Sequence, residues 1–227
     1  MTTRTVTAYD WVPDFAQGHV RDLRVRWALE EEGLPYETDL LPQGTQGKPE
    51  NLARQPFGQV PALTVDGKPM FESGACVWRI AEEGTVLLPK DTETRNACLS
   101  WHFAALNSVE PSLTMMAMLF FQAMNPDIGE EGVAKVRPGI RSMAEKRLTQ
   151  LADALGERDH LVADRFTTAD LMMTTVLRTA ESLDLLEPLP RLRAYLDHHT
   201  ARPAFRAALE AQLQPFRENA PRYERAG

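Results

Sequence analysis

The chain has 227 residues, 43% apolar and 25% charged, with 32 acidic against 25 basic side chains and a formal net charge of −7. That composition fills a globular core in one or two domains, and the acidic balance argues against nucleic acid or an anionic membrane surface as a partner. The apolar runs are far shorter than the ~18 residues that suggest a membrane span.

The opening "MTTRTVTAYDW" has no apolar core of a secretory signal. Cys76 and Cys98 form no CxxC and no His/Cys metal spacing. A reducing, cytoplasmic location without a disulfide framework or a metal is therefore expected.

Residues 4–9, "RTVTAY", alternate and predict a strand. Val20, Leu23, Trp27 and Ala28 stand at helical spacing, so 18–32 reads as an amphipathic helix ended by Gly33. "PYETDLL" is a second strand, and strand–helix–strand at this length implies a right-handed crossover with parallel pairing. After the loop "PQGTQGKP", a short helix is expected near 49–54. "VPALTVD", Asp66-Gly67 and "KPMF" then make a hairpin, because Asp-Gly supplies the positive φ angles of a type I′ turn. A helix over 72–83 closes the unit.

Beyond "GTVLLPKDTET" the strand signals fade. Helices are expected near 93–124, 130–156, 167–182, 189–200 and 203–213, and the tail "ENAPRYERAG" is expected to be loose. "FTTADL" is an explicit helix start: Thr167 at the N-cap, Asp170 three residues on, and Phe166 and Leu171 at staple positions. The organisation expected is a small α/β domain over 1–83, a linker over 84–94 and an all-helical domain over 95–227.

The stretch "FGQVPALTVDGKPMFESGACV" combines several chemical features. A proline cannot donate to a sheet ladder, so Pro61 belongs at an edge or a strand start. The Val60 backbone then faces an extended ligand by strand addition. Ser73 opens a helix, where a hydroxyl and free N–H groups suit a carboxylate. Glu72 offers an anion to an ammonium. Singly, these residues also read as a helix cap and an ordinary strand entry. Together on one hairpin they describe a receptor for the end of a small peptide.

"NLARQPFGQVPALTVDGKPMFESGACVWRIAEE" resembles the glutathione-binding half of the cytosolic glutathione transferases, with its thioredoxin-like N-terminal domain. "VRWALEEEGLPYE" resembles their first helix and second strand, and "LVADRFTTADL" their C-terminal helix-capping segment. The resemblance spans roughly 4–213 and selects no subclass. It implies a cis Pro61, a Val60 backbone paired with the cysteinyl unit of glutathione, and Glu72 and Ser73 on the γ-glutamyl end. Gln59 and Lys48 fall where such proteins meet the glycyl carboxylate.

Most members activate the glutathione thiol with a Tyr, Ser or Cys between the first strand and first helix. The need is chemical: a free thiol has a pKa of ~8.5 and only the thiolate is strongly nucleophilic. Here the segment is "AYDWVPDFAQGHVRDLRVRWAL", longer than usual and without Ser, Thr or Cys. Counting back from Val25 places the activating position at His19, and counting forward from Tyr9 places it at Asp10. His19 has the better chemistry, although it also reads as a polar residue in the first helical turn. Trp11 and Gln17 carry further N–H donors, and a helix N-terminus at 18–21 would add its dipole. Tyr9 is assigned to the strand end.

Cys76 and Cys98 are assigned to the core, not to chemistry. Met115 and Met118 line an acceptor pocket or belong to bundle or dimer packing. Arg21, Arg24 and Arg26 crowd the first helix, and some of them are expected in surface or interface ion pairs with Glu30–Glu32, as on a solvated face. The resemblance thus implies a homodimeric glutathione transferase acting on an electrophilic small molecule. The alternatives are a glutathione-binding carrier with little catalysis, an interaction module, and a glutathione-dependent disulfide reductase.

Overall fold

A computed structural model describes residues 2–224. The chain forms two compact units: residues up to Pro89 together with the segment from Ala201 onward, and Lys90–Thr200.

The first unit is built on a four-stranded sheet of order β2-β1-β3-β4, with β1 Arg4–Tyr9, β2 Glu37–Leu41, β3 Ala62–Val65 and β4 Lys68–Phe71. β1 runs parallel to β2 and antiparallel to β3. The β3–β4 turn has positive φ at both Asp66 (48°) and Gly67 (78°), as the Asp-Gly pair predicts. α1 (Asp22–Glu32), α2 (Pro49–Leu52) and α3 (Ser73–Glu83) complete the thioredoxin-like order, and Gly33 ends α1 at φ 63°.

α1 departs from expectation in two ways. It begins at Asp22 rather than 18, because Gly18 sits at φ 78°, which a right-handed helix cannot include, and turns occupy 17–21. It is also buried on all sides, with every residue from 22 to 29 inaccessible. β1, α3 and the last helix, α9 (Pro203–Glu224), all pack on it. Trp27 meets Phe205 of α9 edge-on at 4.9 Å.

The charges of α1 are therefore internal ties, and the solvated-face expectation fails for Arg24 and Arg26. Arg26 Nε donates to Asp22 at 2.7 Å and its Nη1 to Thr38 at 3.0 Å. Gln212 of α9 donates to Asp22 Oδ1 and to the Val20 carbonyl. Arg202 forks onto Glu31 at 2.6 and 2.8 Å, while Glu32 accepts from the N–H groups of Thr85, Val86 and Leu87. A planar guanidinium matched to a carboxylate gives such ties direction as well as charge.

The segment expected to be loose is helical as far as Glu224, and residues 225–227 lie outside the described residues. Its end is held by chemistry absent from local propensity. Tyr223 stacks on Trp11 at 4.7 Å with an interplanar angle of 13°. Arg222 Nη1 and the Tyr223 hydroxyl both donate to the buried Asp10 carboxylate, at 2.9 and 2.7 Å.

The second unit contains α4 (Thr92–Ala104), α5 (Glu110–Ala123), α6 (Gly129–Leu155), α7 (Thr168–Ser182) and α8 (Pro190–Thr200). The expected helix over 93–124 is α4 and α5 joined through a wide π turn at Ala105–Val109. α7 is the core element, burying Leu171, Met172, Met173, Val176 and Leu177. Its capping box is formed as the sequence predicts, and Asp170 does more than cap. Its carboxylate also accepts from the Leu161 N–H and the Tyr195 hydroxyl, both at 2.8 Å, tying the preceding loop and α8 to the start of α7.

On α5, Leu113, Met116 and Leu119 turn inward, while Met115, Met118, Phe120 and Phe121 are exposed, as is Met124 at its C-cap. That removes the bundle-core reading for Met115 and Met118. Among the described residues no helix is long and apolar enough to cross a membrane.

Candidate functional site

The opening of β3 and the opening of α3 are neighbours by strand register. Ala62 pairs with Phe71, so continuing that antiparallel register outward sets Val60 opposite Ser73. The Val60-Pro61 bond is cis. Thr7 of β1 fixes the strand entry from beneath, its buried Oγ1 accepting the Ala62 N–H at 2.7 Å. Among the described residues, no hydrogen bond engages the Val60 N–H or C=O. This backbone pair lies just beyond the end of the β3–β4 ladder, in position to pair with an extended ligand.

Glu72 is the N-cap of α3 with φ 68° and ψ 112°, a conformation that L-residues rarely adopt. Such outliers cost on the order of 1–3 kcal/mol and persist only where their surroundings over-determine them. The exposed Glu72 carboxylate thus stands at a backbone kink that opens the α3 N-terminus. Ser73 beside it is buried, and its Oγ accepts from Arg24 Nη1 at 3.3 Å, which leaves the hydroxyl proton to donate elsewhere. Arg24 is itself only 5% exposed. Helix N–H groups, a serine hydroxyl and an arginine held beneath it make an electropositive seat for a carboxylate, with Glu72 as counter-charge for an ammonium.

Sequence reasoning missed Arg24, since three arginines crowded at 21, 24 and 26 look like a solvated face. The available signal was that Leu23, Val25 and Trp27–Leu29 put apolar residues around the helix between the arginines, which marks a helix covered on all sides.

Gln59 and Lys48 are exposed. Gln59 ends a loop organised by the buried Gln55, whose Oε1 accepts from the N–H groups of Phe57 (2.6 Å) and Gln59 (3.4 Å). Lys48 is the N-cap residue of α2, at the far end of the same segment.

The loop between β1 and α1 distributes the expected thiol donors differently. Gln17 Nε2 donates to the Val12 carbonyl at 3.2 Å and to Asp14 at 3.1 Å, so its amide is engaged within its own loop. Trp11 is the half-buried residue stacked on Tyr223. His19 is exposed in the turn before α1 rather than in its first turn. The helix N-terminus expected at 18–21 lies at Asp22, whose own carboxylate occupies the first turn. Asp10 is sequestered by Arg222, Tyr223 and the Gln43 N–H. Tyr9 ends β1, and burial pushes its hydroxyl pKa up, so it stays protonated at neutral pH.

Neither cysteine suits nucleophilic work. Cys76 is fully buried in α3 and its thiol is pushed up to about 12 by desolvation. Burial raises Cys98 as well.

The chain matches the family model of the glutathione S-transferase N-terminal domain over residues 23–83 and that of the C-terminal domain over 116–212. It is 28% identical to glutathione S-transferase GstA of Escherichia coli O157:H7, over 81% of this chain and 90% of that protein. It is 32% identical to glutathione S-transferase F10 of Arabidopsis thaliana, over 63% of this chain and 68% of that protein. A glutathione transferase family member from Pseudomonas fluorescens, solved with two glutathione molecules bound, shares the fold at a TM-score of 0.77 and 23% identity, covering 92% of each chain. This chain belongs to the cytosolic glutathione S-transferase superfamily.

Proposed function

We propose that the protein is a glutathione transferase whose first unit binds the tripeptide along the Val60 backbone and the α3 N-terminus. The carrying observation is the conjunction of a cis Val60-Pro61 bond beside unengaged strand backbone with Ser73 seated on the buried Arg24. In this reading Val60 pairs with the cysteinyl main chain. Ser73 and the first N–H groups of α3 hold the γ-glutamyl carboxylate, Glu72 its ammonium, and Gln59 and Lys48 the glycyl carboxylate. The strained φ of Glu72 aims these groups outward.

Chemistry then requires the bound thiol to lose its proton to solvent and the sulfur to form a C–S bond with an electrophilic carbon, as a leaving group departs with its bonding pair or as the carbon's π bond opens and takes up a proton from solvent. Gln17 is turned into its own loop, and in this reading His19 and Trp11 donate to the sulfur. The engaged Gln17 also supports a second reading, a glutathione-binding carrier in which the thiol is held but weakly activated.

The protein acts in the cytoplasm as a homodimer on an electrophilic small molecule. The exposed apolar row of α5 supports the dimer. Calorimetric titration with glutathione tests the site. Ser73→Ala should weaken binding by about 1–3 kcal/mol, because a desolvated carboxylate loses a donor. Unaltered affinity would reduce Ser73 to a helix residue without ligand contact.

A further inference from the structure

The second unit brings together three of the chain's five histidines. His160 lies in the loop between α6 and α7, and His198 and His199 lie in the last turn of α8, so the whole of α7 separates them in sequence. One ring nitrogen from each lies within 4.8 Å of those of the other two. We propose that His160, His198 and His199 form a binding site for a divalent transition-metal ion of the zinc, nickel or copper type, apart from the glutathione site and not signalled by any local spacing.

Three features of the cluster carry this. First, its innermost member is oriented as metal-bound imidazoles usually are. His199 is fully buried, and its Nε2 lies 3.0 Å from the Asp159 carbonyl. A carbonyl only accepts, so Nε2 carries the proton and the lone pair resides on Nδ1. A ring N–H held by a backbone carbonyl is the usual outer partner of a metal-bound histidine, fixing tautomer and ring angle. The ring is further fixed edge-on against Tyr195 at 4.4 Å and tilted against Phe166 at 5.2 Å.

Second, the loop that presents His160 is anchored. Arg191 of α8 donates Nε to the Gly156 carbonyl at 2.9 Å and Nη2 to Asp159 at 3.2 Å. Its Nη2 also meets the Arg158 carbonyl. The ordering entropy of that ligand is thus already spent in the fold.

Third, the cluster is graded from inside to outside. His199 is buried, His160 half-buried and His198 exposed, which gives an ion a route from solvent. Nitrogens bound tetrahedrally at about 2.0–2.1 Å from one ion lie about 3.3–3.4 Å apart. The triad must therefore close by about 1.5 Å at most, a shift within reach of side-chain rotation in the two accessible members. Imidazole ligands select zinc, copper or nickel over magnesium or calcium. With three nitrogens supplied, water completes the coordination.

The test is a titration of tag-free, chelator-stripped protein with Co2+, read by the visible absorption bands of the bound ion, followed by displacement with Zn2+. The expected result is one saturable site per chain, displaced stoichiometrically by Zn2+. His160→Ala and His198→Ala should each weaken it at least about tenfold, while the metal-free unfolding midpoint and glutathione affinity stay those of the parent. Both rings touch His199, at 5.3 and 4.9 Å, but neither is itself buried, and the unchanged metal-free midpoint shows that the variants fold. Absence of saturable binding, or variants that bind Co2+ as tightly as the parent, would overturn the proposal.

Discussion

At the scale of single residues, burial decides which polar groups take part in chemistry. Cys76 is enclosed in α3 with its thiol pushed up to about 12, so essentially no thiolate exists at neutral pH. The sign follows from linkage. A folded-state pKa above the unfolded value of ~8.5 favours the protonated form, so this contribution is fully present below that value and is lost as pH rises towards 12. An alkylating reagent at neutral pH should leave Cys76 unlabelled in the native protein and label it completely in denaturant, as followed by peptide mass spectrometry. Rapid native labelling would show that α3 opens more readily than its packing implies. Arg24 illustrates the same rule for a cation. Its charge serves Ser73 because the helix around it is closed to water.

At the scale of elements, α7 shows how one side chain organises several segments. Asp170 accepts from the Thr167 N–H and hydroxyl, the Leu161 N–H and the Tyr195 hydroxyl, while the Thr167 hydroxyl oxygen accepts the cap bond from Ala169 N–H. Thr167→Ala should therefore cost about 0.5–2 kcal/mol. Asp170→Ala should cost more, because each buried donor it strands carries a penalty of about 1–3 kcal/mol. Urea unfolding of the two variants measures the order, and equal midpoints would mean the loop and α8 gain nothing from this carboxylate.

The legibility of the sequence also divides at this scale. β1, the β3–β4 hairpin, Gly33 and the "FTTADL" cap were readable because each rests on local chemistry: alternation, a turn dipeptide, a positive φ, a capping pair. The start of α1 lies four residues beyond where the apolar periodicity predicts it, because Gly18 at φ 78° breaks the helix. The end of α9 was read as loose because its hold comes from Trp11 and Asp10, some 212 positions away in the chain. Val60, Pro61, Glu72 and Ser73, the residues of the proposed glutathione seat, stand out in the sequence as a compact motif. Arg24 was not, because only tertiary closure turns a charged stripe inward. The histidine cluster was invisible for the same reason.

At the scale of the whole molecule, two surfaces remain to be matched to function. The exposed row of Met115, Met118 and Phe121 on α5, with Met124 at its C-cap, is far more apolar than a monomer's surface requires. Light scattering after gel filtration should give twice the chain mass of 25.5 kDa, and Met118→Lys should shift the population towards monomer. A monomeric parent protein would assign that row to something other than a second copy.

The other surface is the proposed glutathione seat between β3 and α3, where the state of the sulfur matters as much as the binding. The most direct measurement is the pKa of protein-bound glutathione, from thiolate ultraviolet absorbance against pH at saturating protein. The account predicts saturable binding with an apparent thiol pKa at least about one unit below the free value of ~8.5, which corresponds to about 1.4 kcal/mol of preferential thiolate stabilisation. Binding with an unshifted pKa would contradict the transferase reading and favour the carrier, and no saturable binding would contradict the site itself.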